Sequence, residues 1–212
     1  MRGILTFGLA VLLAAPAFAA SDDFNRAELG KKWKVVSGTL SISNNAMVGS
    51  DNGLGYFKKS STDTTASADV TLSNGNLEYG AVAIGDVRTG NNAFVKIQSG
   101  GGVTFEDGAF YDGNNGNGTF FTLDAPVPSP ATLTASLCGT VVTMTIKSSA
   151  KTQKYAHDYG SEASGFGAGA GLGTYGPVAL DNYVSKPSKN CTLDADTVMI
   201  KGPGLADPTK AK

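Results

Sequence analysis

The chain has 212 residues with 17 Lys and Arg against 18 Asp and Glu, a formal net charge of −1 that argues against a polybasic nucleic-acid binder. Hydrophobic residues make up 41% of the chain, which is enough apolar material for a core. The 28 glycines disfavour a helical bundle, since glycine inside a helix costs about 1 kcal/mol relative to alanine, and one histidine with two cysteines cannot build a zinc finger.

The N-terminus has the pattern of a secretory signal peptide. Arg2 precedes an apolar run from Ile4 to Ala15, and Ala17-Phe18-Ala19 follows as a small-residue cleavage site. The run is shorter than the about 20 apolar residues of a membrane-spanning helix, so we expect a secreted or periplasmic product without a membrane span. An uncleaved N-terminal anchor is the alternative. The predicted division is a signal peptide over 1–19, one β-sandwich domain over 20–201 and a flexible tail over 202–212.

Short stretches of alternating apolar and polar residues recur after the signal. They are rich in Val, Ile, Thr and aromatic residues, as half-buried strands require. Turn signals separate them: Asn52-Gly53, Asn74-Gly75, Asp107-Gly108 and Cys138-Gly139. About ten short strands without a convincing amphipathic helix predict an all-β fold, an antiparallel two-sheet sandwich or jelly roll. The predicted strands are Leu40–Ile42, Ala66–Leu72, Tyr79–Ile84, Ala93–Ile97, Val103–Phe105, Thr132–Leu137, Val141–Ile146, Thr152–Ala156, Val178–Tyr183 and Thr197–Ile200.

The two cysteines fit an oxidising compartment. Cys138 and Cys191 are an even pair, so a disulfide that ties the C-terminal extension to the domain is the expected state. The Cys138-Gly139 turn between two alternating stretches places one end of this bridge at a hairpin. Two free buried thiols are the alternative.

Three groups of residues form an ordered pattern: Asp22-Asp23-Phe24-Asn25-Arg26 with Leu29-Gly30, Trp33 and Gly38; Tyr79–Ile84 with Asn91–Val95; and Gly171–Tyr175 with Ala179–Val184. This pattern resembles that of the concanavalin A-like (laminin-G-like) lectin and glucanase jelly-roll domains. The resemblance covers about residues 22–185, although Leu40 stands where an aromatic residue is common and the segment from Lys186 to Ile200 matches nothing in the pattern. It implies a sandwich of two antiparallel sheets in a family that includes glycan-binding modules, glycoside hydrolases and parts of adhesins.

The resemblance also implies a structural calcium ion that joins the first and last strands. Asp23, or its neighbour Asp22, and Asp181 lie where the two ends of such a sandwich meet, and carboxylate oxygens are ligands that calcium prefers. The alternative is that Asp23 caps a turn and Asp181 accepts hydrogen bonds from backbone amides.

Catalytic patterns are weak. Glycoside hydrolysis needs two carboxylates that face one cleft, and none of the four glutamates lies in the E-x-D-x-x-E arrangement of the glucanases of this fold class. Glu106 and Asp107 are adjacent and so point to opposite sides of a strand, and Glu106-Asp107-Gly108 is typical of a turn. There is no G-x-S-x-G motif to serve His157, the one histidine. We name no catalytic residue, and the sequence favours a protein that is not an enzyme.

Two stretches have the aromatic and polar composition of a sugar-binding site. In the first, Tyr111 runs into a loop with Asp112 and Asn114; in the second, alternate positions hold Tyr155, His157 and Tyr159, which form one platform if the stretch is a strand. Ordinary packing is the alternative for both. The sequence therefore predicts a non-catalytic, lectin-like protein that binds a polysaccharide or surface glycan. An envelope or adhesion protein with a protein partner, and a hydrolase with an unrecognised carboxylate pair, are the alternatives.

Overall fold

Two packed β-sheets make up the fold of this computed structural model, which describes residues 19–49, 51–60, 64–73, 78–108, 118–123, 125–187 and 193–200. In chain order the strands are β1 (Ala20–Asp22), β2 (Trp33–Ser37), β3 (Leu40–Ser43), β4 (Ala46–Gly49), β5 (Gly53–Phe57), β6 (Thr65–Thr71), β7 (Tyr79–Asp86), β8 (Asn91–Gln98), β9 (Gly102–Asp107), β10 (Gly118–Thr122), β11 (Ala131–Cys138), β12 (Val141–Lys147), β13 (Thr152–Asp158), β14 (Ala170–Tyr175), β15 (Ala179–Lys186) and β16 (Val198–Ile200). Two short 3-10 helices span Ser99–Gly101 and Gly160–Gly165. The predicted all-β two-sheet architecture is confirmed.

The two sheets differ in how their strands are ordered. The first sheet has the order β16-β13-β12-β11-β6-β15-β4-β3, with β1 also paired to β15. The second has the order β10-β9-β8-β7-β14-β5-β2. The pairs are antiparallel except for β13 and β16, so the C-terminal segment that matches no family pattern adds a parallel strand to the edge of the first sheet.

The core lies between the sheets, and period-two alternation explains which residues enter it. In β6, for example, Ala66, Ala68 and Val70 are buried while the residues between them are partly exposed. An aromatic cluster closes one end of the core: the Trp33 ring lies 5.6 Å from Phe24, 5.3 Å from Phe57 and 5.0 Å from Tyr183. Trp33 is therefore a core residue, as its place in the family pattern implies.

Turn predictions had mixed outcomes. The Cys138-Gly139 turn is confirmed, because Cys138 pairs with Val141 across the β11–β12 hairpin and Gly139 has a φ of 63°. The Glu106-Asp107-Gly108 turn is wrong, since Glu106 and Asp107 are the last two residues of β9. The strand continues through this pair because both residues are paired with β8. Asn74-Gly75 lies outside the described residues.

No helix within the described ranges is both long enough and apolar enough to cross a membrane. The predicted signal peptide, the tail beyond residue 201 and Cys191 lie outside the described part of the chain. The cleavage site, the domain limits and the Cys138–Cys191 bridge therefore stay predictions.

Candidate functional site

The second sheet buries side chains on the face turned away from the core, and we call this surface the outer face. Alternation along β7 sends Val82 and Ile84 into the main core and their neighbours Ala81 and Ala83 to the outer face. Five buried side chains form a separate apolar cluster there, with Tyr56 and Tyr79 half-buried against it: Leu54, Ala81, Ala83, Val87 and Phe94. Gly171 and Gly173 pair with β5 and β7 beside this cluster and add no side chain to the floor of the outer face.

A pair of stacked tyrosines stands at one end of the outer face. Tyr79 in β7 and Tyr175 in β14 are direct cross-strand partners, with ring centroids 5.7 Å apart and ring planes inclined by 17°. The Tyr79 hydroxyl donates a hydrogen bond to Asn52 Oδ1, and the Lys96 ammonium lies 4.3 Å from the centre of the Tyr79 ring. These contacts fix Tyr79, whereas Tyr175 stays 37% exposed. Tyr79 is thus fixed in place, and the Tyr175 ring stacked on it is partly exposed to solvent.

An ion pair between Lys96 and Glu106 lies in the middle of the outer face. The two side chains come from the neighbouring strands β8 and β9, and Glu106 is paired with the outer-face residue Phe94. Both side chains are almost fully buried. Burial raises the pKa of Glu106 and lowers the pKa of Lys96, and the opposite charge of the partner works against each shift. Each of the two buried charges is therefore paired with the opposite charge.

The other end of the outer face carries Tyr56 and Arg88. Arg88 donates to both carboxylate oxygens of Asp86, at 2.7 Å and 2.8 Å, and its guanidinium carbon lies 5.7 Å from the centre of the Tyr56 ring. The hydrogen bond from Arg88 is the main reason that the pKa of Asp86 is lowered. Lys58 and Gly169 line the same small pocket as these residues. This end thus combines a half-buried aromatic ring with several charged groups.

The predicted platform of Tyr155, His157 and Tyr159 faces the core instead of solvent. Tyr155 and Tyr159 are each 6% exposed; the Tyr155 ring packs 4.8 Å from Phe121, and the His157 ring packs 4.7 Å from Tyr159. His157 Nδ1 is also hydrogen-bonded to the Ile200 carbonyl at 3.0 Å. The three side chains do share one side, but it is the side that the second sheet covers. These three residues are therefore not part of the binding site that we propose.

The first predicted sugar-binding stretch, with Tyr111, Asp112 and Asn114, lies outside the described residues. Its role stays a prediction.

The two residues predicted to hold calcium occupy adjacent chain segments. Asp22 pairs with Tyr183 in the β1–β15 register, so Asp23 lies beside Asn182, next to Asp181. Asp23 accepts hydrogen bonds from the Asn25 amide and side chain, and Asp181 accepts one from the backbone N–H of Asn182 at 2.7 Å.

These are the contacts of the alternative prediction, a turn cap and a bond to a backbone amide. Asp22 is committed to Arg26 and Trp33. Across the described ranges, no three His, Cys, Asp or Glu side chains come together in a way that could hold a metal ion, whereas calcium takes six to eight oxygen ligands. Calcium binding stays a prediction.

Sequence reasoning missed the tyrosines of the outer face. Tyr79 and Tyr175 lie in stretches that match the family pattern, and Tyr56 follows two glycines in β5. The one sequence signal that these tyrosines share is a position at or near the end of a strand. What joins the residues is the cross-strand register, which no local pattern in the sequence specifies.

No protein-family model matches the sequence, and no curated protein matches it. Solved structures do match. The carbohydrate-binding module CBM66 from Bacillus subtilis is 20% identical with a TM-score of 0.56, over 74% of this chain and 96% of that one. The catalytic domain of an endo-1,3-β-glucanase (laminarinase) from Thermotoga petrophila is 12% identical with a TM-score of 0.55, over 81% and 97%. Lectin II from Ulex europaeus is 8% identical with a TM-score of 0.54, over 80% and 97%.

These likenesses establish the fold. The chain has the jelly-roll sandwich of the concanavalin A-like proteins, as the sequence resemblance implied. At these identities the likeness concerns the fold alone, and function has to be argued from the site.

Proposed function

We propose that this protein binds carbohydrate without acting on it, and that the outer face of the second sheet is the binding surface. The observation that carries the proposal is the Tyr79–Tyr175 stack, in which one held ring supports a second that is 37% exposed. Aromatic rings pack against the C–H surface of a sugar, and a mostly apolar site with a few polar groups is the usual design of a small-ligand pocket. The apolar cluster beside the stack supplies such a floor.

The carboxylates of the outer face support binding over hydrolysis. A glycosidase needs two carboxyl groups about 5–10 Å apart that face the same bond. Glu106 is the one carboxylate that the described strands bring to the middle of this face, and it is buried against Lys96. A buried glutamate held in an ion pair is poorly placed to exchange protons with a sugar oxygen. For these reasons we favour the lectin-like function over the hydrolase alternative.

The fold neighbours agree with carbohydrate as the ligand class. One neighbour is a carbohydrate-binding module, another is an endo-1,3-β-glucanase and a third is a lectin. Those are properties of the neighbours, and they support the proposal here through the shared fold. We further propose that the protein is exported, loses residues 1–19 and carries the Cys138–Cys191 disulfide.

Affinity electrophoresis and calorimetry against a panel of polysaccharides test the proposal, with Tyr175→Ala as the main variant. Removal of an exposed aromatic contact should weaken binding at least about tenfold, which corresponds to about 1.4 kcal/mol. Met199→Ala is the matched control, because Met199 is similarly exposed, at 40%, but lies on β16 in the first sheet.

Each other result has a clear meaning. Binding that Tyr175→Ala leaves unchanged would move the site away from the outer face. Release of reducing sugar by the wild type that Glu106→Gln abolishes would favour the hydrolase. An absence of binding to every polysaccharide would overturn the proposal and favour a protein partner. The panel is run with calcium and with a chelator, so that a calcium requirement shows as a difference between the two sets.

A further inference from the structure

Five exposed lysines lie on or beside β2, the edge strand of the second sheet, and just beyond its neighbour β5. Lys31, Lys32 and Lys34 flank the buried Trp33 at the start of β2, and Lys58 and Lys59 directly follow β5. The antiparallel β2–β5 pairing brings the two groups together, and the Lys58 amide donates a hydrogen bond to the Lys32 carbonyl at 2.9 Å. We call these five residues the basic edge.

Within the described ranges none of the five lysines forms an ion pair, although Lys32 lines a pocket with Asp22 and Asp23. The ion pairs found there use Arg26, Arg88, Lys96 and Lys154. The whole chain has a formal net charge of −1, so the cluster reflects a separation of charge over the surface and not a general excess of basic residues.

The basic edge adjoins the outer face at Tyr56. Lys34 is the direct cross-strand partner of Tyr56, and Lys58 lines the pocket that also holds Tyr56 and Arg88. The half-buried Tyr56 ring therefore has lysines beside it. The guanidinium carbon of Arg88 lies 5.7 Å from the centre of the same ring.

Protection of a sheet edge explains only part of this arrangement. Lysines on an edge strand hinder pairing with another chain, and β2 is the edge of the second sheet. Lys58 and Lys59, however, follow β5, which has β14 and β2 on its two sides and is not an edge. Lys58 lines the pocket of the Tyr56 ring, and a cation beside an aromatic ring suits a ligand with negative charge.

We propose that the outer face takes an acidic polysaccharide, one that carries carboxylate or sulfate groups, and that the basic edge binds those groups while Tyr56 packs against a sugar ring. This inference rests on the proposed function, to which it adds the class of ligand. Lysine ammonium groups on flexible stems suit acidic groups spaced along a polymer, because each acts as a point charge without a fixed geometry. Attraction between exposed charges is screened by salt, so binding should weaken as ionic strength rises.

Paired polymers that differ only in charge test this inference: dextran sulfate against dextran, and polygalacturonate against its methyl-esterified form. The wild type should bind at least one charged polymer about tenfold or more tightly than its neutral counterpart at low salt. The triple variant K34Q/K58Q/K59Q should lose most of that preference and most of the salt dependence. The control triple K147Q/K151Q/K186Q changes the net charge equally, with exposed lysines in or next to strands of the first sheet, and it should keep both the preference and the salt dependence.

The outcomes separate this inference from the proposed function. Equal binding of charged and neutral polymers, weakened by Tyr175→Ala but not by the lysine changes, would overturn the acidic ligand and leave carbohydrate binding in place. Equal losses in the two triple variants would overturn it as well, because they would indicate a general charge effect. Binding to vesicles of anionic lipid, with none to any polysaccharide, would overturn both and indicate a membrane surface. Thermal melts of all variants establish that each is folded.

Discussion

Asp22 shows how one side chain organises the end of the sandwich. Its buried carboxylate accepts hydrogen bonds from the Phe24 amide at 3.0 Å, from Trp33 Nε1 at 2.9 Å and from Arg26 Nη2 at 2.8 Å. Through Trp33 it is connected to the aromatic cluster, and through β1 it is paired with Tyr183. In this structure the Asp22 carboxylate connects β1 with the aromatic cluster of the core.

Asp22 should make the stability of the protein depend on pH in the acid range. Burial raises the pKa of Asp22, but the hydrogen bonds from Arg26, Phe24 and Trp33 together outweigh it and bring the pKa below its ordinary 3.8. A lowered pKa in the folded state means that the stabilisation is present above pH 4 or so and is lost as pH falls through the folded pKa. We expect Asp22→Asn to lower the free energy of unfolding at pH 7 by about 2 kcal/mol, because charged hydrogen bonds are lost.

Urea denaturation at pH 7 and at pH 3 measures this effect, and the gap between wild type and Asp22→Asn should narrow at the lower pH. Asp23→Asn is the matched control, since Asp23 is exposed and bonds only to Asn25 in the described structure. A gap of the same size at both pH values would show that the carboxylate charge contributes nothing.

At the scale of the strands, glycines set how closely backbones and sheets approach. A Cβ atom on Gly80 in β7 would lie 2.3 Å from Val70 Cγ1 and 3.2 Å from Leu180 Cδ2, and both of those residues belong to the first sheet. Real Cβ atoms do not approach that closely, so the absence of a side chain at Gly80 is a condition of the sheet-to-sheet packing.

Gly80→Ala should therefore destabilise the protein by about 1–3 kcal/mol, because the added methyl group forces the sheets or the stiff Val70 side chain to move. Gly165→Ala is the control, because a Cβ there meets nothing within 4 Å, and it should change the free energy of unfolding by less than about 0.5 kcal/mol. Chemical denaturation of both variants provides the comparison. Equal stability of the two would mean that the sheets adjust without cost.

Glycines also explain why the sequence did not predict β5 and β14 as strands. β5 reads Gly-Leu-Gly-Tyr-Phe and β14 reads Ala-Gly-Leu-Gly-Thr-Tyr, so neither is a clear run of Val, Ile, Thr and aromatic residues. These two strands lie side by side in the second sheet, and their glycines face close neighbours: a Cβ on Gly171 would lie 2.4 Å from the Gly55 carbonyl. Strand propensity fails where packing needs the residue with the smallest side chain.

At the scale of the whole molecule, the predicted disulfide would join two distant parts of the chain. Cys138 ends β11 at the β11–β12 hairpin, and Cys191 precedes β16 in sequence. The bridge would close a loop of roughly 54 residues, for which loop-closure entropy gives about 4 kcal/mol of stabilisation.

We expect a reducing agent to lower the melting temperature by roughly 8–16 °C, given about 2–4 °C per kcal/mol for a domain of this size. The double variant C138A/C191A should melt at the lower temperature with or without the reductant. Two reactive thiols in the unfolded, unreduced protein would contradict the bridge.

The features that could be predicted from the sequence alone are local. Alternating apolar residues and turn pairs such as Cys138-Gly139 predict an all-β sandwich, and the resemblance of the motif around Trp33 and of two later stretches implies the concanavalin A-like type. Each of these signals depends on residues that are close in the chain, and each constrains φ, ψ or burial directly.

The position of the candidate site, in contrast, depends on the three-dimensional arrangement of the strands. Alternation groups Tyr155, His157 and Tyr159 on one side of a strand, but it does not tell which side the second sheet covers, and that side proved to be the core. Tyr175 reaches Tyr79, and Lys34 reaches Tyr56, through pairing between strands far apart in sequence. Strand register and sheet order arise from the sum of many weak contacts over the whole chain, so the outer face and its basic edge become visible only once the sheets are assembled.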